Sequence, residues 1–275
     1  MKWLILWPEI YFLAVAIVFL LLSLARLNGR RDFSAALFLA GLGVAVTLAT
    51  IGLEGSLFSG AYRADLYSQV FKGLLSLGFF LVICLCSTLN GIEETRHSEF
   101  YLFLATCTLG MMLLVSSVEL LTLYVALELS SYSLYALVPL RSGRGQQMEA
   151  GIKYFLSGIT TSALMLFGLA SLFAATQTTL ISELILKLPD LLNTPMAFVG
   201  LLLTLCGFFF KLALFPFHVW APSVYQGAAN QVTAFVATAT KVTAMAMLVR
   251  LVSMSNGNTS IAHVLIALAI VSMTY

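Results

Sequence analysis

Four ionisable side chains stand inside long apolar runs: Glu128 in LLTLYVALELSSYSLYAL, Lys153 in EAGIKYFLSG, Lys211 in CGFFFKLALFPFHVW and Lys241 in FVATATKVTAMAML. A charge at the centre of a membrane helix costs about 2.5 to 3.5 kcal/mol on insertion scales, so each of them needs a compensating reason. Burial favours the neutral form of an acid or a lysine, whereas contact between the two stabilises both charged forms. Glu128 next to Lys211 is therefore a switch: the lysine holds its proton while the pair is closed and can release it to a neighbour when the pair opens. A row of such lysines joined by water is a proton path, and one charge crossing 100 mV stores or releases about 2.3 kcal/mol. Two blander readings stand beside this one, in which the charges snorkel to the interface or pair as static glue between helices. Snorkelling stays open for Lys153, about three residues into its span, but Lys211 and Lys241 lie about ten residues from either end of theirs.

The run after Lys211 carries a second signal, because Pro216 and then Pro222 follow it. Proline removes a backbone donor and clashes with the preceding turn. The seventh span is expected to break there and free carbonyls of the kind that midplane ion sites use, the alternative being that Pro216 merely ends the span. His218, after the break, can relay a proton near neutral pH or serve as a hydrogen-bonded structural group. Glu119 reads as an interfacial acid where the fourth span turns into the fifth, and Glu9, next to Pro8, as a helix-start acid favoured by the helix dipole. Thr160-Thr161-Ser162, like Gly41 and Gly43, reads as a close helix contact. Cys84, Cys86, Cys107 and Cys206 sit in apolar stretches without a C-x-x-C spacing and read as packing residues. Neither histidines paired across two spans for a haem nor a glycine-rich phosphate loop is present, so the driving energy must come from a partner or an ion gradient.

The elements that hold these residues follow from composition. Hydrophobic residues make up 60% of 275 positions and charged residues 9%, against roughly 25% charged in soluble domains. The net charge of +2 is scattered and forms no nucleic-acid-binding patch. The pattern predicts an all-α, polytopic transmembrane bundle with spans near 7–26, 33–53, 69–90, 100–117, 119–140, 150–175, 196–215, 230–252 and from 260 onward. Turn residues mark the connections at Asn28-Gly29, Asn90-Gly91, Pro189 to Pro195 and Asn256-Gly257. Arg26, Arg30, Arg31, Arg96, Arg141 and Arg144 all fall on one side, which predicts an outside N-terminus. Lys2, Arg63, Lys187 and Arg250 fall on the other, with Lys72 just beyond a span boundary. Spans 1 to 3 (residues 1–99) form one unit and spans 4 to 8 (100–255) another, while 256–275 opens a ninth span that reads as cut short at Tyr275.

The stretch GFFFKLALFPFHVWAPSVYQGAANQVTAFVATATKVTAMAMLVRL, together with the segments around Glu128 and Lys153, resembles the antiporter-like subunits of respiratory complex I, the NADH:quinone oxidoreductase. The Trp7-Pro8-Glu9-Ile10 opening and the Tyr225-Gln226-Gly227 turn look most like the subunit N branch. The resemblance implies a proton-translocating subunit of a bacterial-type inner membrane, built from two inverted repeats of which spans four to eight form the first. It implies that Glu128 modulates Lys211, that Lys241 is the central protonatable lysine, that Lys153 shares the hydrophilic axis, and that His218 falls on the family's histidine. It also implies other membrane subunits of the complex as partners. No cofactor or redox centre is expected in this chain, with NADH, FMN, iron–sulfur clusters and quinone in partner subunits. Subunits of cation/proton antiporters and membrane-bound hydrogenases share the lysine pattern and remain alternatives, as does a static scaffold. At Ala229-Asn230 the chain departs from relatives that usually carry a proline after the Gly-Ala turn.

Overall fold

With no water inside a bilayer, backbone N–H and C=O groups must be satisfied within the chain, and this sequence does so with helices. The computed structural model describes residues 2–25, 29–89, 91–143, 145–252 and 259–274. Arg26, Arg144 and the turns at Asn28, Asn90 and Asn256-Gly257 lie outside the described residues. The order is α1 (Trp7–Ala25), α2 (Gly29–Ala49), β1 (Gly55–Leu57), β2 (Tyr62–Ala64), α3 (Leu66–Cys84), α4 (His97–Ser116), α5 (Leu120–Leu137) and α6 (Gln146–Thr176). There follow α7 (Ile181–Leu191), α8 (Pro195–Leu212), α9 (Trp220–Gly227), α10 (Asn230–Ala237), α11 (Ala239–Val252) and α12 (Thr259–Thr274). Among the described residues, eight segments are long and apolar enough to cross a membrane, and α12 is a shorter apolar helix. The expected bundle is therefore present, with most ends displaced by a few residues.

Local chemistry explains the displacements. Asp65 caps α3 by accepting from the Ser68 amide at 2.8 Å while Ser68 Oγ accepts the Asp65 N–H at 3.0 Å, a reciprocal cap that fixes the helix start. Because α3 begins at Leu66, Lys72 lies inside the span and not beyond its boundary. The 176–195 connection, read as a punctuated loop, contains α7, whose Ile181, Leu184 and Leu188 are buried at the i, i+3, i+7 spacing of one helix face.

Glu9 lies in the first turn of α1, as a helix-start acid would, but it does not face solvent. It is buried at 4% exposure, and Lys72, at 0%, reaches its Oε1 at 2.8 Å. An unpaired charge at that depth would be prohibitive, so the fold brings the two together across helices. The β1–β2 hairpin pairs Gly55 with Ala64 and Leu57 with Tyr62. Tyr62 also bridges Ser117, and the Val118 N–H donates to the Ala61 carbonyl at 3.0 Å. The hairpin thus ties the first three helices to the α4–α5 junction.

One apolar core lies among α1 to α4 and the α9 to α11 segment, and a second among α5 to α8 and α11. The second depends on small residues at the α6–α8 crossing, the arrangement that lets membrane helices approach closely. A Cβ on Gly168 would stand 2.4 Å from the Thr204 nitrogen and 2.7 Å from the Gly200 carbonyl oxygen.

Two outcomes are expected. Gly168→Leu forces the α6 and α8 backbones apart, so the purified variant should show a clear loss of thermal stability in detergent, whereas Gly60→Ala, with open space at its Cβ, should cost only the left-handed backbone penalty, about 1 kcal/mol. Asp65 also accepts from Arg250 at 2.9 Å; burial works against its charge, but the Ser68 amide and the Arg250 guanidinium outweigh it and hold the carboxyl below its ordinary range. That stabilisation is complete above the unfolded carboxylate value of about 4 and is lost as pH falls through the lowered folded value. Asp65→Asn should therefore be less stable than the parent at neutral pH, with the difference vanishing in acid melts.

Candidate functional site

Helix α5 is the axis of the site, and two of its residues face opposite ways. Residues two apart on a helix do not share a face, so Glu128 and Ser130 look to different neighbours. Gly110 of α4 makes room for the Ser130 side: a Cβ there would come within 2.7 Å of the Ser130 nitrogen. On that side Lys211, 4% exposed, donates from Nζ to Ser130 Oγ at 3.1 Å. Cys107 Sγ donates to the Ser130 carbonyl at 3.3 Å. Met111, Phe208, Thr240 and Thr243 close the space around the ammonium, which admits no free water molecule in this conformation.

Lys211 is the last residue but one of α8, not a mid-helix residue as its position in the apolar run suggests. Its depth is nevertheless central, because Ser130 lies ten residues into α5, about 15 Å along a helix that crosses a core of about 30 Å. The helix stops ahead of Pro216 because Ala213 adopts a left-handed conformation (φ 57°) and the Leu214 N–H turns back to the Phe209 carbonyl at 2.9 Å. The Trp220 indole donates to the Phe210 carbonyl at 3.1 Å, which also accepts the Ala213 N–H at 3.0 Å, so the start of α9 is tied to the last turn of α8. Residues 213–219 form turns before α9 begins. The seventh span is thus broken, as expected, and its free carbonyl end favours the Lys211 charge.

On the other face of α5, Glu128 is 7% exposed and accepts a hydrogen bond at Oε1 from Ser162 Oγ of α6. Ser162 is therefore not simply a helix contact, although Thr160 and Thr161 do bond back to their own helix. Glu128 and Lys211 form no ion pair within 4.0 Å; each is held by a serine. The two charged groups therefore do not meet directly in this conformation.

The eighth span is interrupted too, which its sequence did not suggest. Thr238 (φ −115°, ψ −75°) separates α10 from α11 three residues before Lys241. Thr238 and Thr240 donate their hydroxyls to the Ala234 and Val236 carbonyls at 2.7 and 2.6 Å, the local competition that threonine offers a helix backbone. Lys241 is half-buried, with Nζ 5.8 Å from the centre of the Tyr225 ring of α9. Thr240 and Thr243, on either side of it, face Lys211.

Lys153 is placed differently. It lies two turns into α6, half-exposed, and pairs with Glu149 at 2.6 Å. Its neighbourhood is a polar cleft of about 160 Å³ shared with Ser223 and Gln226 of α9. It is thus not a buried charge within this chain and does not join the Glu128 and Lys211 sites by direct contact, because α6 begins at Gln146 and leaves its second turn uncovered. His218, in the turn after the break, stacks on Phe215 with ring centres 5.7 Å apart. Glu119 caps α5, accepting from the Thr122 amide at 2.7 Å and hydroxyl at 2.6 Å; burial opposes its charge, but the Thr122 bonds prevail and keep the carboxyl below its ordinary range. Ser130, Ser162, Thr240 and Thr243 were not legible as site residues. The only available signal was hydroxyl density beside the charged positions.

Residues 117–275 match the family described as NADH:quinone oxidoreductase/Mrp antiporter, TM. A curated relative, NADH-quinone oxidoreductase subunit N 2 of Syntrophobacter fumaroxidans, is 53% identical over 276 residues that cover 100% of this chain and 58% of the relative. Among solved structures, a chain of respiratory complex I from Thermus thermophilus is similar with a TM-score of 0.75 at 36% identity, over 88% of this chain and 52% of its own length. A chain of the Mrp complex from Dietzia sp. reaches a TM-score of 0.75 at 18% identity, over 90% of this chain and 48% of its own, a likeness of fold alone. This chain therefore spans little more than half the length of the proteins it matches. A family match over more than half of the residues, on a bundle of eight spans with a broken seventh helix, establishes that the chain belongs to the NADH:quinone oxidoreductase/Mrp antiporter transmembrane family.

Proposed function

We propose that this chain translocates protons as a membrane subunit of an NADH:quinone oxidoreductase, with quinone reduction elsewhere in the complex as the source of energy. The observation that carries the reading is the separation of Glu128 and Lys211, both buried, with Ser162 donating to Glu128 and Lys211 donating to Ser130. Opening and closing of the Glu128–Lys211 pair would change how strongly the lysine holds its proton. Lys241, beside the wall of the Lys211 site, is the next acceptor, and wetting of that site is the event that links them. Lys153 and His218 act where the broken seventh span meets the aqueous side, through the cleft between α6 and α9. The N-terminus lies outside in a bacterial inner membrane, which puts the hairpin on the outer face and the Arg141 end inside. Neighbouring membrane subunits of the complex supply the driving displacement, and NADH, FMN, iron–sulfur clusters and quinone belong to partner subunits. The identity with subunit N relatives favours this assembly over a cation/proton antiporter.

The reading is checked in the assembled complex in sealed vesicles. Lys241→Ala should lower the proton-to-electron ratio while the complex still assembles; a parental ratio would remove Lys241 from the path. Glu128→Gln should slow coupled turnover by up to about 100-fold, the scale of a lost proton-transfer group, and Ser162→Ala should act in the same direction more weakly. If neither changes turnover, the pair is static. A ratio that follows sodium in place of protons would assign the chain to the antiporter branch of the family.

A further inference from the structure

Lys241 stands where a positive charge is least welcome. It is the third residue of α11, which starts afresh after the interruption at Thr238, and the N-terminal turn of a helix already carries positive partial charge. Thr240 and Thr243 on either side of it line the space that holds the Lys211 ammonium, a second positive charge. The acids inside the bundle are committed elsewhere: Glu9 to Lys72, Asp32 to Ser98, Asp65 to Arg250 and Glu128 to Ser162. Among the described residues Lys241 forms no ion pair.

What meets the ammonium is an aromatic face. Nζ lies 5.8 Å from the centre of the Tyr225 ring, within the roughly 6 Å at which the negative face of a ring attracts a cation. The Tyr225 hydroxyl is buried and, among the described residues, has no hydrogen-bond partner, so the ring is the part of this side chain in use. That ring is firmly seated. Trp220 meets it edge to face at 6.2 Å and itself packs on Tyr154 of α6 and Phe210 of α8, at 4.7 and 5.3 Å. Helix α9 is fastened at both ends: the Trp220 indole donates to the Phe210 carbonyl, and Arg141 Nη1 donates to the Gln226 and Ala228 carbonyls, each at 3.0 Å. Little slack remains between α9 and α6, since a Cβ on Gly227 would stand 2.6 Å from that of Ala150.

We propose that Tyr225 is a positioning residue for Lys241, the face of its ring holding the ammonium at the break in the eighth span against the repulsion of the α11 N-terminus and of Lys211. The ring attracts the charge through its quadrupole and offers no base to receive the proton. It therefore fixes where the charge sits without competing for what the lysine carries, as a carboxylate in its place would. The part this contact plays in turnover rests on the proton-translocation reading above; the contact itself does not.

Acylation of the Lys241 amine by acetic anhydride tests the contact, in the purified whole complex at one fixed pH, read by mass spectrometry against the half-exposed Lys187 as internal standard. The amine must leave the ring to react. Tyr225→Leu should therefore label on the order of 2- to 30-fold faster than the parent, the range that cation–π energies span, whereas Tyr225→Phe, which keeps the ring, should label at the parental rate. Phenylalanines with one, two and three ring fluorines at position 225 keep the shape while draining negative charge from the face, so labelling should rise step by step along that series. The series also decides the matter where Tyr225→Leu does not assemble. A parental rate in Tyr225→Leu, or a flat fluorine series, overturns the proposal. In sealed vesicles the proton-to-electron ratio should fall along the same series. Lys241→Ala keeps the two readings apart: a parental ratio there defeats the proposed function, while the labelling of Lys241 across the Tyr225 variants still decides the contact.

Discussion

The hydrogen bond from Lys211 to Ser130 exists because α8 ends where it does. Had the helix run on through residues 213–219, the ammonium would be one more costly charge on the side of a continuous rod. Instead the left-handed turn at Ala213 and the indole of Trp220 complete the backbone bonding around the break, and the lysine sits at the carbonyl end of the helix. The rest of the bundle accommodates that arrangement. Gly110 draws α4 against α5 so that Ser130 meets Lys211, and Gly168 with Gly200 draws α6 against α8 in the second core.

Burial of charge runs through the molecule as a single rule with three solutions. Glu9 and Lys72 neutralise each other; Asp65 and Arg250 do so nearer the surface; Glu128 and Lys211 are kept apart and given serines. In the first two, mutual attraction offsets part of the cost of desolvating both charges. In the third that attraction is forgone, and only hydroxyl hydrogen bonds offset the cost.

The architecture was legible from the sequence because apolar runs of about 20 residues have one physical interpretation. The break of the seventh span was legible because proline has one as well. What escaped was pairing. Glu9 and Lys72 are 63 positions apart in the chain, and nothing local distinguishes an acid that will face solvent from one that a distant lysine will cover. The interruption at Thr238 escaped for a related reason: threonine is tolerated in helices, and only the tertiary setting decides whether its hydroxyl displaces the ladder. Helix α7 escaped because its amphipathic pattern is short and Pro189 falls inside it. For Lys153 the exposed position at the start of α6 agrees with the snorkelling reading left open for it, because it lies on the uncovered face of that turn while Ala150 and Tyr154 are buried.

The turns at residues 213–219 have a mechanical consequence. A continuous helix can reorient one of its ends only by bending or by breaking its own ladder, and each lost bond in a bilayer goes uncompensated. Here the ladder is already interrupted, and the Trp220 indole ties the start of α9 to the Phe210 carbonyl in the last turn of α8. The two helices are thus linked side chain to backbone across the turns, and a displacement of α9 would be handed to the turn that carries Lys211.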